Sequence, residues 1–225
     1  MGIVREGAKR ILGTERANRK EPLPLEVLKA IVDGSDLSDC LVLRNGCLFL
    51  WCFTGFLRFD DVSRIRRNQI LFHEGFMKIK IDKSKSDQLR EGNEVLISEA
   101  EGSVCPVKIL KEYLLRMNIS PRCSELIFRQ LVTTKASHKL AARDKPICYS
   151  TFRDHLCKTF GNSVPDPTIY GTHFFRSGGA SKAANSDVKE RPFQRHGHWK
   201  SVSAKDGYVK DDISVRLSVS KSLGL

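Results

Sequence analysis

The chain has 225 residues, of which 40% are hydrophobic and 28% are charged. This length allows one sizeable core, and the composition is typical of a soluble globular protein. Lys and Arg number 38 against 26 Asp and Glu, which gives a formal net charge of +12. Such a charge favours a polyanionic partner, most often nucleic acid, although a merely basic protein would also show it.

The cysteine content and the apolar runs exclude several other classes. There are seven cysteines and no CxxC pair, which argues against a disulfide framework or a structural zinc site and predicts an intracellular, reducing compartment. No apolar run resembles a signal peptide or is long enough to span a bilayer, so we expect no membrane partner. The sequence has neither a Walker motif nor a carboxylate cluster of metal-binding type.

The first half of the chain predicts helices followed by a small sheet. Residues 1–22 are basic and read as a linker, while the domain proper covers 23–225. Helices are predicted at 23–32, at 41–53, which is almost wholly apolar and therefore buried, and at 58–67. Between 69 and 98 the residues alternate between apolar and polar, which predicts three antiparallel strands. An amphipathic helix follows at 105–116.

The second half is predicted to be helical apart from its loops. Residues 129–147 are polar and basic and read as a loop, and Ser150 is a candidate cap for a helix at 151–160. A loop at 162–169 leads into a helix that carries His173 and Arg176. The next helix is predicted to begin at 185–187, and Ser201 to cap a further one that ends at 207–208. The tail, 209–225, carries an apolar stripe at helical spacing.

Two pairs of polar residues are candidates for a site. Arg58 directly follows a buried helix, so it needs a partner or an anionic ligand. Asp61 can be that partner, and both a structural pair and a functional arginine remain open. His173 and Arg176 are three residues apart, which places them on one helix face, and glycines follow that permit close packing. Taken alone, an ordinary surface His and Arg would be favoured.

The order of six residues along the chain resembles the catalytic domain of the tyrosine recombinases, the phage-integrase family. They are Arg58 after Thr-Gly-Phe-Leu, Lys85 on a hairpin, His173-x-x-Arg176, Trp199, and Tyr208 nine residues later. The resemblance covers 23–225, and the runs at 83–93 and 195–201 look most like recombinase-type proteins of eukaryotic mobile elements. It implies a mainly α, α+β fold with a small three-stranded antiparallel sheet near the N-terminal third.

The resemblance also implies a reaction. Tyr208 would attack a DNA phosphodiester to give a 3′-phosphotyrosyl link and a free 5′-hydroxyl, and the reverse step with a new strand would exchange strands. Arg58 and Arg176 would hold the non-bridging phosphate oxygens, and His173 would accept the tyrosine proton or hold the phosphate. Lys85 would protonate the departing 5′-oxygen. Because the bond energy stays in the covalent link, the resemblance implies that neither ATP nor a metal nor any other cofactor is required.

The remaining implied roles concern support and DNA contact. Trp199 would place its indole N–H on the phosphate, and Asp61 would support Arg58. The partner would be double-stranded DNA, bound by a homotetramer on paired sites through the C-terminal tail, in the nucleus if the host is eukaryotic. Further basic residues are candidate DNA contacts: Lys83, Arg90, Lys135, Lys139, Arg143 and Lys200.

Three features depart from the family pattern. Phe175 stands where Leu is common, and Pro192 falls inside the predicted helix before Trp199, where a kink could misplace Trp199 and Tyr208. Only a remnant of the N-terminal core-binding domain fits into 1–22. Two alternatives therefore stay open: a catalytically inactive DNA-binding remnant of a mobile element, and a type IB topoisomerase, which shares the phosphotyrosine chemistry.

Overall fold

The computed structural model describes residues 21–82, 93–134, 138–161, 164 and 173–223. The helices of this part are α1 (Leu25–Asp33), α2 (Cys40–Thr54), α3 (Phe59–Ser63), α4 (Pro106–Arg116), α5 (Tyr149–Gly161), α6 (Phe174–Ala184), α7 (Glu190–His196), α8 (Val202–Asp206) and α9 (Ile213–Lys221). The strands are β1 (Ile70–His73), β2 (Phe76–Ile81), β3 (Asn93–Ser98), β4 (Leu131–Thr133) and β5 (His138–Leu140), and a 3-10 turn covers Arg67–Gln69. The predicted fold class, mainly helical with a small antiparallel sheet, is confirmed.

Helix α2 forms the centre of the core, as its apolar sequence predicts. Every residue from 43 to 53 is buried. The Asp39 carboxylate accepts the first free backbone N–H groups of α2, and Gly55 ends the helix. The Phe49 ring lies 5.8 Å from that of Phe152 and 5.1 Å from that of Phe175. Phe175 is therefore accommodated in an aromatic core that joins α2, α5 and α6.

The predicted three-stranded sheet forms with the strand order β1-β2-β3, antiparallel throughout. Ile79 on the central strand pairs with Ile70 on one side and with Val95 on the other. These three side chains are buried, as period-two alternation requires, and they place one face of the sheet on the core.

Two glycines bring α6 into backbone contact with the elements beside it. A Cβ atom at Gly178 would overlap the carbonyl oxygen of Leu23, and one at Gly179 would overlap that of Phe53 at the end of α2. The Leu23 N–H also donates to the Phe174 carbonyl at 3.1 Å. The close approach expected from these small residues therefore occurs, and it fixes the position of α6 relative to α2.

Two segments differ from the sequence prediction, because backbone pairing with other parts of the chain overrides their local conformational preference. The helix predicted at 58–67 is only α3, since the backbone beyond it pairs with another segment: the Ile127 N–H donates to the Ile65 carbonyl at 3.1 Å. The loop predicted at 129–147 contains the β4–β5 pair, with Leu131 opposite Leu140. Neither pairing partner is visible in the local sequence.

Two helix starts also differ from prediction. Helix α5 already begins at Tyr149, so Ser150 lies inside it and is not its cap. Residue 185 caps the end of α6, and α7 begins only at Glu190, which places Pro192 in its first turn. First-turn N–H groups have no partner within the helix, so the expected kink at Pro192 does not arise. The Phe193 N–H makes the first helical bond, to Lys189 at 3.2 Å.

Candidate active site

Arg58 lies at the turn between α2 and α3, where it caps α3. Its backbone N–H donates to Asp61 Oδ2 at 3.3 Å, and its guanidinium Nη1 lies 4.0 Å from the same oxygen. The Asp61 side chain is 7% exposed and that of Arg58 23%. Burial raises the pKa of Asp61, and the positive charge of Arg58 opposes this rise. The predicted Arg58–Asp61 pair is therefore present, and part of the Arg58 side chain remains accessible to solvent.

Arg176 lies on α6 directly behind Arg58 and is almost entirely buried, with 3% exposure. Its guanidinium donates to the Phe56 carbonyl and, at 2.7 Å, to the Gly197 carbonyl. Burial lowers the pKa of Arg176 to about 10, and the positive charge of Arg58 contributes to the shift. Arg176 therefore keeps its charge at neutral pH and faces another cation, an arrangement that an anion would stabilise.

Tyr208 follows α8 and reaches both arginines. Arg58 Nη2 donates to the Tyr208 hydroxyl at 3.4 Å. The Arg176 guanidinium carbon lies 4.7 Å from the centre of the Tyr208 ring and 5.1 Å from that of Trp199. We call Arg58, Arg176, Trp199 and Tyr208 the arginine–tyrosine cluster. It joins residues that lie 150 positions apart in the chain.

Trp199 forms the wall of the cluster. Its ring lies so close over Gly197 that a Cβ atom there would overlap it. It also packs 5.8 Å from the Phe56 ring and 5.2 Å from that of Phe193. In the described part of the chain, neither Trp199 Nε1 nor Arg176 Nε has a hydrogen-bond acceptor, although both atoms are buried. Such donors normally find an acceptor, and four further buried donors of the described residues also lack one, so the feature is not particular to this cluster.

His173 has a different setting from the one predicted. It precedes α6 as the N-cap residue, and its side chain is exposed, whereas that of Arg176, predicted to share its face, is buried.

The other candidate residues divide into two groups. Three are exposed at the surface, namely Lys139 on β5, Arg143 after it, and Lys200 next to Trp199. Four lie outside the described residues, namely Lys83, Lys85, Arg90 and Lys135.

Two histidines on either side of Gly197 were not selected from the sequence. His196 Nε2 lies 2.8 Å from the Thr54 carbonyl, and His198 Nε2 lies 3.4 Å from that of Glu94 on β3. Burial lowers the pKa of both, and the charge of Arg176 adds to the effect. These contacts connect the Trp199 turn to the end of α2 and to the sheet. The sequence signal for them is the pair of imidazoles at 196 and 198, directly before Trp199 in the 195–201 run.

The cluster has the chemistry of an anion site built next to a nucleophile. The Arg58 guanidinium can grip a phosphate through parallel hydrogen bonds, whereas Arg176, each of whose Nη atoms already donates to a backbone carbonyl, adds buried positive charge over the Tyr208 ring. A phenol hydroxyl lies within hydrogen-bond distance of one of them. The described residues include no group of three or more His, Cys, Asp or Glu side chains that could hold a metal ion.

Comparison with known proteins identifies the architecture. No family model matches the chain. An integrase/recombinase xerD homologue from Selenomonas ruminantium is 25% identical over 194 residues, which is 85% of this chain and 54% of that protein. The XerH site-specific recombinase, bound to difH substrate before cleavage, superposes with a TM-score of 0.63 at 17% identity and covers 91% of this chain and 54% of its own. The chain has the catalytic-domain fold of the tyrosine recombinases.

Other solved structures share this recombinase fold. The XerA recombinase gives a TM-score of 0.62 at 15% identity over 93% of this chain and 65% of its own. The chain thus spans about half the length of the xerD homologue and of XerH. The fold and family resemblance inferred from the six residues is confirmed.

The described residues also bear on the cellular setting. All seven cysteines are unpaired. Among the described helices, none combines the length and the apolar character that crossing a bilayer requires.

Proposed function

We propose that this chain is the catalytic part of a site-specific DNA recombinase or integrase, which cleaves and rejoins DNA through a 3′-phosphotyrosine intermediate. One observation carries the proposal: the Tyr208 hydroxyl lies 3.4 Å from Arg58 Nη2 while Arg176 lies over the Tyr208 ring. A tyrosine that only docked a tail onto the core would not need one cation at its hydroxyl and a second, buried cation over its ring.

In this mechanism Tyr208 Oη attacks the phosphorus and the 5′-oxygen leaves, so one ester bond replaces another. A phenol titrates near ~10, so attack at neutral pH needs a proton acceptor and a cationic field. Arg58 and Arg176 supply the field by holding the non-bridging oxygens, each worth about 3–4 kcal/mol by analogy with oxyanion-hole donors. We assign the proton acceptor to His173 and protonation of the 5′-oxygen to Lys85.

Trp199 and Asp61 complete the site. The indole N–H of Trp199 and the Nε of Arg176 have no acceptor in the described structure, and phosphate oxygens would supply one. The buried Asp61 carboxylate holds the turn that presents Arg58. Both residues therefore act on the phosphate or on a cation that touches it, and neither changes its covalent state.

The proposed partner is double-stranded DNA. The net charge of +12 suits it, and the solved relatives include XerH bound to difH substrate and the Tn1549 transposon integrase with transposon right end DNA. The six basic side chains named above as DNA contacts would add phosphate binding. A DNA substrate and seven unpaired thiols fit a reducing compartment, which is the nucleus if the host is eukaryotic.

We further propose a homotetramer on paired DNA sites, joined through α9. No residue of α9 is buried, and Ile213, Leu217 and Val219 are 74%, 47% and 67% exposed. A second copy of the chain would cover them. In this arrangement residues 1–22 are a basic linker, and 23–225 form the catalytic domain.

The test is covalent trapping of DNA. Wild type and Tyr208→Phe are incubated with a pool of nicked suicide duplexes of randomised sequence, whose cleaved end fragment diffuses away. We expect a covalent adduct on the 5′-labelled strand with wild type and none with the variant. Absence of an adduct with both proteins, together with retained DNA binding, would identify an inactive DNA-binding remnant. Relaxation of supercoiled plasmid by the monomer would indicate a type IB topoisomerase.

A further inference from the structure

Ser181 lies on α6 beyond Arg176 and faces the segment that carries Tyr208. Its side chain is buried, with the residue 8% exposed. Its Oγ accepts the Lys210 N–H at 2.9 Å and donates to the Tyr208 carbonyl at 3.4 Å. One hydroxyl therefore satisfies backbone groups on both sides of residue 209.

Asn185, one helical turn further along, continues this contact. Its Nδ2 donates to the Lys210 carbonyl at 3.0 Å, and its Oδ1 accepts the Asp212 N–H at 3.1 Å. Residues four apart lie on the same helix face, so the two side chains form one row. Together they hydrogen-bond the backbone of 208–212.

The hydrogen bonds of Ser181 and Asn185 to the C-terminal segment reach no further than Asp212. The next residue begins α9, which has no buried residue. The side chain of Lys210 pairs with Glu21, and both groups are more than half exposed, so this ion pair adds little. The described hydrogen bonds therefore divide the C-terminal region into a segment held to its own α6 and a helix that is not held.

We propose that Ser181 and Asn185 form a latch that holds the backbone of 208–212 on α6 and so positions Tyr208 beside Arg58 and Arg176 of the same chain. The inference rests on the proposed function for the role of Tyr208. The latch and Arg176 belong to the same rigid helix, so the distance between nucleophile and cation is set within one chain. Ser181 and Asn185 are positioning residues, because neither touches the reacting atoms.

The first test needs no catalysis. Amide hydrogen exchange is measured on the free full-length protein for wild type, Ser181→Ala/Asn185→Ala, and Ser186→Ala. Ser186 is the matched control, since its hydroxyl bonds only to Lys182 of its own helix in the described structure. We expect the Lys210 and Asp212 amides to be protected in wild type and control and to exchange about tenfold faster in the double variant. Exchange in wild type at the rate of an unfolded peptide would overturn the latch.

A conservative variant separates positioning from general packing. Asn185→Asp keeps the oxygen that accepts the Asp212 N–H and loses the donor to the Lys210 carbonyl. We expect the Asp212 amide to stay protected in this variant and to lose protection in Asn185→Ala. Equal loss of protection in both variants would show that Asn185 does not act through these bonds.

The second test asks which subunit supplies the tyrosine. Arg58→Ala and Tyr208→Phe are mixed and incubated with the nicked duplex pool. With the latch closed, the mixture forms no more adduct than either variant alone, because each intact tyrosine stays beside a damaged site. Restored adduct would mean donation between subunits and would overturn the proposal. If wild type forms no adduct, the proposed function fails, and the exchange data still decide the latch.

Discussion

The two halves of α6 contact their neighbours in opposite ways. In the first half, Gly178 and Gly179 bring backbone against backbone, with no room for a methyl group. At the C-terminal end of α6, Ser181 and the cap residue Asn185 hydrogen-bond the backbone of the 208–212 segment, and Tyr208 and Val209 also pack on a small apolar cluster that includes Ala180. Close packing tolerates little movement, whereas a net hydrogen bond contributes only about 1 kcal/mol. Arg176 is therefore placed by close backbone contacts of its helix, and the backbone of 208–212 by hydrogen bonds that can open.

This division suits a reaction in which one group must stay and another must move. The cations have to meet the phosphate in the same geometry at every step, and Arg176 is anchored by two backbone carbonyls. In the proposed mechanism the tyrosine becomes covalently attached to DNA, so its segment would have to follow the strand. A hydrogen-bonded row can open at a small free-energy cost and close again, as a packed glycine interface cannot.

The largest effect is expected at the cation that touches the nucleophile. Arg58→Ala should slow adduct formation by about 10²–10³-fold, because a preorganised donor to the developing charge is lost. Unfolding stability should also fall, because the side chain is only 23% exposed and the buried Asp61 loses its ion-pair partner, so urea unfolding is measured to confirm that the variant is folded in the assay. Single-turnover trapping measures the rate, and exposed Arg122→Ala is the control for lost positive charge. A rate within threefold of wild type, or equal losses in both variants, would contradict an active-site role.

The close backbone packing between α6 and the end of α2 is tested by adding a methyl group to it. Gly179→Ala should reduce the free energy of unfolding by about 2–3 kcal/mol, because the new methyl group overlaps the Phe53 carbonyl and the backbones must separate. Urea unfolding gives the value. Gly161→Ala at the end of α5 is the matched control, because nothing lies within 4 Å of its added Cβ. Similar stability in both variants would show that the contact between α6 and the end of α2 is not tightly packed.

The sequence predicted more of this architecture than of the site. The apolar run that became α2 and the alternation that became β1–β3 are local signals, and both gave the right elements. The Arg58–Asp61 pair was also local. The contacts of Arg176 with the Phe56 and Gly197 carbonyls were not predictable, because they depend on how three distant segments pack. Neither was the exposure of His173, which depends on where α6 begins.

A smaller effect is expected at the wall of the cluster. Trp199→Phe keeps an aromatic ring against Phe56 and Phe193 and removes the indole N–H, so stability should fall by less than about 1.5 kcal/mol. If that N–H binds the scissile phosphate, adduct formation should slow by about tenfold. Trapping and urea unfolding are measured on the same samples. A fall in stability with an unchanged rate would make Trp199 a packing residue only.

The smallest effect is expected when α9 is removed from the chain. A chain ending at Asp212 lacks α9 and should unfold within about 0.5 kcal/mol of the full chain, because the deleted helix buries no residue. Protection of the Lys210 and Asp212 amides should also persist, since Ser181 and Asn185 are retained. Association of copies on DNA, followed by native gel or light scattering, should be lost. A large loss of stability in the isolated monomer would mean that α9 packs on its own subunit in solution. The segment held on α6 would then extend beyond residue 212.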